Sequence, residues 1–223
     1  MSRAQARPER FAALLTGFRG LYAVTPDEPD VESLTHKVRE AIAGGARIVQ
    51  YRNKSANAWL RREQGAALLV LCRNASIPLI VNDDLDLALA IGADGVHLGS
   101  EDSAIAAARA KLGKDKLLGA SCYDKLELAL AAREAGADYI AFGSAFPSAT
   151  KPAATRAPLS LYREAKMRLD APIVAIGGVT TENAHTLIEA GADAIAVISA
   201  LFDVPDIEAA ARAFDCLFGR KKR

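Results

Sequence analysis

Cysteine is scarce: Cys72, Cys122 and Cys216 are the only three, odd in number and without CxxC spacing. That excludes a disulfide framework or a thiolate zinc site and points to a reducing, cytoplasmic setting. Long apolar runs are also missing, none nearing the ~18 residues a membrane span requires. Phe11–Leu15 follows Arg3, Arg7 and Arg10 and precedes Arg19, and is too short for a secretory core. Nor is there an excess of either charge: the net is +1, which argues against nucleic acid or membrane as a partner. Any anion the chain binds must be gripped by a local cluster. No linker, low-complexity segment or second domain is visible. What remains is 223 residues, 51% hydrophobic and 25% charged, the balance of a soluble globular chain with small-molecule partners. A homo-oligomer is compatible with that composition.

What the sequence does have is a repeated join. Gly45-Ala46-Arg47, Gly92-Ala93-Asp94, Gly136-Ala137-Asp138 and Gly191-Ala192-Asp193 each end an alanine-rich helical stretch and lead directly into a β-type run. Glycine tolerates the left-handed backbone that closes a helix, so each copy reads as a C-cap feeding a strand. Adding the runs between the copies, the expected strands are 21–24, 48–51, 79–82, 95–98, 117–120, 139–142, 173–176 and 194–198. They are apolar on both pleat faces, as strands covered by helices outside and packed side chains inside should be. Helical spacing fits between them, over Glu32–Ala43, Trp59–Cys72 and Leu126–Ala135. The pattern predicts a single α/β domain, a (β/α)8 TIM barrel with a parallel eight-stranded barrel, over residues 19–218. Residues 1–18 form an N-terminal extension whose amphipathic helix is expected to cap the barrel floor, and 219–223 form a solvated basic tail.

In such a barrel chemistry sits just past the strand ends. After the second strand, Gln50, Arg52 and Lys54 alternate, and point the same way if the extended backbone persists. That trio suits an anionic, hydrogen-bonding ligand such as a phosphorylated heterocycle. Asn82-Asp83-Asp84 and Glu101-Asp102 follow the third and fourth strands. Their carboxylates could share a hard divalent ion or cap the next helices; Asp84 and Glu101 look more like caps. Ser121 is a rim hydroxyl or an N-cap. Cys122 has no histidine nearby to activate it, and His97, inside a strand, reads as a packed core residue. The stretch 143–158 is too long for a routine βα loop and reads as a functional lid. Gly177-Gly178 with Ser199 reads as a second, metal-free anion site, because loops after the last two barrel strands commonly hold phosphate.

Taken in order, these segments resemble the thiamine-phosphate synthase family over nearly the whole chain after Gly20. The carriers are Leu21–Thr25, Val49–Lys54, Val81-Asn82-Asp83, Gly92–Gly99, Glu101-Asp102, Ser148–Lys151, Ile176–Gly178 and Val197–Ser199. The family joins an aminopyrimidine methyl diphosphate to a thiazole phosphate, with release of pyrophosphate. The resemblance implies that Gln50, Tyr51, Arg52, Asn53, Lys54, Asn82, Ser121 and Lys151 bind the pyrimidine diphosphate. Arg52, Lys54, Lys151 and Ser121 would carry the catalysis. Ser148, Ala149, Thr150, Gly178, Ile198 and Ser199 would bind the thiazole phosphate, and Asp83 and Asp102 one Mg²⁺ per subunit. A dissociative displacement needs no protein nucleophile, which agrees with the lack of an activated Ser or Cys.

Three positions depart from the pattern: Ser148 replaces a frequent Thr, Ser100 a common Gln and Tyr123 a frequent His. Serine and threonine can both donate a hydroxyl bond at 148, and the last two departures bear on fine substrate contacts rather than on the metal or diphosphate machinery. Three other functions share parts of this pattern. A thiazole tautomerase lacks the full diphosphate grip, and a sugar-phosphate or indole-pathway barrel would not require the basic trio with two rim carboxylates. A non-catalytic sensor of thiamine precursors would have no need of an intact carboxylate pair.

Overall fold

The computed structural model describes residues 17–99, 102–147 and 155–219, with the backbone alone at 102 and 103. The N-terminal helix expected over Phe11–Leu15 and the basic tail beyond Gly219 lie outside the described residues. The strands β1 (Gly20–Val24), β2 (Ile48–Tyr51), β3 (Leu79–Asn82), β4 (Gly95–Leu98), β5 (Leu117–Ser121), β6 (Tyr139–Phe142), β7 (Ile173–Ile176) and β8 (Ala194–Val197) pair in parallel, in sequence order. β8 closes back on β1, so the sheet is a barrel without edges. The (β/α)8 expectation holds. Boundaries differ little: β5 runs on to Ser121, and β8 stops before Ile198, whose backbone turns to start the next helix.

Outside the barrel the described helices are α1 (Val31–Ala43), α2 (Ala58–Asn74), α3 (Leu85–Ile91), α4 (Asp102–Leu112), α5 (Leu126–Glu134), α6 (Leu159–Arg168), α7 (Ala184–Glu189), α8 (Ser199–Phe202) and α9 (Ile207–Gly219). Side-chain caps set several starts. Asp30 accepts from the Ser33 N–H at 2.6 Å, Asn57 from Leu60 at 2.9 Å and Asp84 from Leu87 at 2.9 Å. α1 buries Leu34, Val38 and Ala41, the 3.6-residue stripe that seats it on the sheet.

The repeated join has one construction in all four copies. The glycines have φ of +111° (Gly45), +75° (Gly92), +106° (Gly136) and +111° (Gly191). Only Gly92 is itself the cap residue; the others stand one position beyond. The alanine that follows sends its N–H back to the carbonyl five residues earlier, Ala46 to Ala41, Ala93 to Ala88, Ala137 to Ala132 and Ala192 to Leu187. This is the Schellman closure. The next residue then clamps the preceding strand. Asp94, Asp138 and Asp193 each donate N–H to a carbonyl, of Leu79, Leu118 and Ile173 respectively, at 2.7–3.0 Å. Each carboxylate accepts the N–H of that same residue, at 3.0, 2.8 and 2.9 Å. Arg47 makes only the first half of the clamp, from its N–H to the Leu21 carbonyl. The repeat therefore ties β1 to β2, β3 to β4, β5 to β6 and β7 to β8 at the barrel floor.

Phe18 closes that floor from inside. It is buried, stacks on Tyr139 with ring centroids 4.3 Å apart and meets Tyr22 edge-on at 5.8 Å. With Ile48, Ile80, Leu117 and Val174 it fills the barrel interior. A larger cluster, including Leu68, Val81, Ile140 and Tyr162, packs the helices on the outer strand face.

Candidate active site

The opposite end, where strands run out into loops, gathers most of the residues singled out from sequence. β2 ends at Tyr51, so of the trio only Gln50 lies within the strand. Gln50 points into the barrel and is nearly buried. Arg52 stands at the rim, its backbone held on both sides by the buried Thr25 hydroxyl, which accepts from the Arg52 N–H at 2.8 Å and donates to its carbonyl at 2.7 Å. Its guanidinium meets Asp27 at 2.9 Å, and the Lys54 N–H reaches the same carboxylate oxygen at 3.0 Å. Lys54 itself is exposed. Asp27 is a partner the sequence reading missed. Its only signal was position, just past the end of β1.

Tyr51 and Asn53, expected among the substrate-binding side chains, line the rim cleft, with their polar groups bonded to the fold. The Tyr51 hydroxyl donates to Gln64 at 2.9 Å, and Asn53 donates to Gln64 at 3.0 Å and to the Glu28 carbonyl at 2.7 Å. Strand alternation is the reason. Positions 51 and 53 fall on the face turned to α2, where Gln64 lies fully buried.

The carboxylates after β3 divide into two roles. Asp84 caps α3 and lies 3.6 Å from Arg61. Asp83 caps nothing. Its φ is +61°, its N–H goes to the His97 carbonyl at 2.8 Å, and its carboxylate accepts from the Asn82 amide at 2.7 Å. A cleft of about 670 Å³ opens beside it, lined by Arg52, Lys54, Arg61, Asn82 and Asp83 among others. Arg61, in the first turn of α2, is a third rim cation, passed over in the sequence because it stands ten positions beyond the end of β2. Asp102 is the first residue of α4. Among the described residues no group of three or more Asp, Glu, His or Cys converges as a ready metal site.

Ser121 ends β5 and is not an N-cap, since α5 starts five residues later behind Lys125. Its oxygen meets His97 Nε2 at 2.8 Å. His97 is in the core, as expected, and burial lowers its pKa from 6.5 to about 4, so the ring is neutral. Cys122 is buried, and Tyr123 beside it is half exposed at φ +52°. On the other side of the mouth, Gly177 and Gly178 have φ of +99° and +62°. A Cβ on Gly177 would strike Ser144, and one on Gly178 the carbonyls of Phe146 and Pro147. These glycines are thus required where the loop after β6 packs on the end of β7. Ile198 and Ser199 begin α8 beside them, off β7's neighbour β8. Ser148, Ala149, Thr150 and Lys151 lie outside the described residues, as do Ser100 and Glu101.

Among the described residues no helix is long and apolar enough to cross a membrane. Comparison with known proteins agrees with this geometry. The thiamine monophosphate synthase family matches residues 21–201. The thiamine-phosphate synthase of Chromobacterium violaceum is 57% identical over 202 residues, 91% of this chain and 97% of that protein. That of Methylobacillus flagellatus is 55% identical over 204 residues, 92% and 97% of the two chains. Among solved structures, thiamine phosphate pyrophosphorylase from Pyrococcus furiosus superposes with a TM-score of 0.80 at 37% identity, over 91% of this chain and 96% of that one. The chain belongs to the thiamine monophosphate synthase family, and its activity is that of a thiamine-phosphate synthase in thiamine biosynthesis.

Proposed function

We propose that the mouth holds a 4-amino-2-methylpyrimidine methyl diphosphate across β2 to β5 and transfers its pyrimidinylmethyl group to a thiazole phosphate held at β7 and β8. The observation that carries this reading is the convergence of Arg52, Lys54 and Asp83 on two neighbouring strand ends, beside the inward-facing Gln50. In the first step the bond from the methylene carbon to the diphosphate oxygen breaks and pyrophosphate takes the electron pair. Arg52 and Lys54, with Lys151 from the loop after β6, neutralise the charge that grows there. The pyrimidine's amino group donates electron density to the methylene cation, and the thiazole nitrogen then forms the new C–N bond. Placement is the protein's remaining task, with the thiazole phosphate as the handle for Gly178, Ile198, Ser199 and the hydroxyls of Ser148 and Thr150.

Mg²⁺ fits the donor set. Such an ion keeps several waters and takes one or two carboxylates together with substrate phosphates. Asp83 presents a carboxylate engaged only by the Asn82 amide among the described residues, and Asp102 opens the helix after the adjacent β4. When bound, the ion would supply charge neutralisation to the diphosphate. A cytoplasmic location fits Cys72, Cys122 and Cys216, none of which is in a disulfide.

The test is direct: incubate the protein with both substrates and Mg²⁺ and follow thiamine phosphate and pyrophosphate. Formation of both at equal rates supports the reading. Pyrophosphate without thiamine phosphate, or neither, overturns it.

A further inference from the structure

Resting on that reading, we infer that a buried hydrogen-bond chain across the barrel fixes which end of the pyrimidine site accepts and which donates. Gln50 Nε2 donates to the Tyr22 hydroxyl at 2.9 Å. Tyr22 and Tyr139 hydroxyls meet at 2.9 Å, Tyr139 meets His97 Nδ1 at 3.0 Å, and His97 Nε2 meets Ser121 Oγ at 2.8 Å. Three links from three different strands thus connect two mouth residues, and Phe18 below shuts the chain off from the floor.

Each interior link has one proton to give. With Tyr22 accepting from Gln50, its own proton goes to Tyr139, and Tyr139's proton goes to His97 Nδ1. The neutral imidazole then carries its N–H on Nε2 and donates it to Ser121 Oγ. Ser121 is left with a hydroxyl proton to donate into the mouth, and Gln50 with Oε1 to accept there. A flip at any one link would set two protons or two lone pairs face to face in a dry interior, where an unmet polar group costs dearly. The ends therefore change only together, and the Gln50 amide, which gives its N–H to Tyr22, sets the direction of both.

The polarity selects a ligand. A 4-aminopyrimidine offers an amino N–H next to a bare ring nitrogen, a donor beside an acceptor, and matches both ends. The 4-oxo analogue offers a carbonyl beside a ring N–H and mismatches both. Tyr22, Tyr139 and His97 are positioning residues for this discrimination, acting through Gln50 and Ser121.

The test measures, by calorimetry, the dissociation constants of the monophosphates of the 4-amino- and 4-oxopyrimidine methanols. The wild-type protein is expected to prefer the amino compound by ~100-fold. Tyr139→Phe removes the middle link, so each end can reverse alone and the preference should drop below ~10-fold. Tyr22→Phe should do the same and serves where Tyr139→Phe does not fold. Tyr162→Phe, which loses a buried hydroxyl outside the chain, should keep the wild-type preference. Equal affinity of the wild type for the two compounds, or an undiminished preference in the folded Tyr139 and Tyr22 variants, overturns this inference alone. Failure of the wild type to turn over the amino diphosphate overturns the proposed reaction itself.

Discussion

Asp83 is held at φ +61°, where a side chain other than glycine costs on the order of 1 kcal/mol. The local backbone is set against stability, and the carboxylate it aims at the cleft has no structural capping duty. Asp83→Gly should therefore melt at or above the wild-type temperature, and Asp83→Asn close to it, while both lose Mg²⁺-dependent turnover. Scanning calorimetry beside a pyrophosphate assay separates the two effects; full turnover in either variant would remove the metal role. Arg52 differs in that it is already paired. Arg52→Ala deletes a cation and leaves Asp27 to repel the diphosphate, so kcat/KM should fall by an amount worth ~2–5 kcal/mol. Unchanged kinetics would make the Arg52–Asp27 pair surface decoration. His97 bears on pH. Its folded pKa, about 4, lies below the ordinary 6.5, so protons bind the unfolded chain first. The stability it contributes is complete above pH 6.5 and is lost as pH falls toward 4, by up to about 3 kcal/mol. His97→Gln should flatten that part of the melting-temperature profile; an equally steep profile would show that other groups cause it.

At the scale of elements, the aspartate clamps hold paired strands by two hydrogen bonds apiece. Asp193→Asn keeps the shape and the N–H donor, but must present its amide oxygen to Ile173 and weakens the Lys166 contact. A loss of ~1–3 kcal/mol in chemical denaturation is expected, with kinetic constants unchanged because the site is at the other end of the strands. Equal stability of the variant would mean the main-chain half of the clamp suffices. Arg47, at the equivalent position of the first copy, turns its side chain to Asp215 of α9 instead, so this corner joins a helix contact to the main-chain half of the clamp. Gly119 in the middle of β5 shows the same coupling of sequence to packing. A Cβ there would overlap the Tyr139 ring and His97 Nδ1, so glycine at this position lets those two side chains meet.

Over the whole molecule, the barrel was legible because its signals are local and repeated: helix closure, buried strand, helix closure again. The strand ends were legible as chemistry because cations and carboxylates fell there together. What was not legible depends on direction and on long-range partners. Tyr51 and Asn53 read as site residues and line the cleft, but nothing local shows that their polar groups bond Gln64, thirteen and eleven positions away. Asp27 and Arg61 carry no motif, and nothing in the order of residues announces that Gln50 and Ser121 are joined through Tyr22, Tyr139 and His97. The clamps carry one more consequence. Because they bind β3 to β4, β5 to β6 and β7 to β8, the cylinder carries three reinforced staves beside β1 and β2, and the seams between staves lack the carboxylate bond. A polypeptide cut in the turn at Ser76-Ile77, between β2 and the first stave, should reassemble from its co-expressed halves more readily than one cut at Gly92, which would part β3 from its own partner.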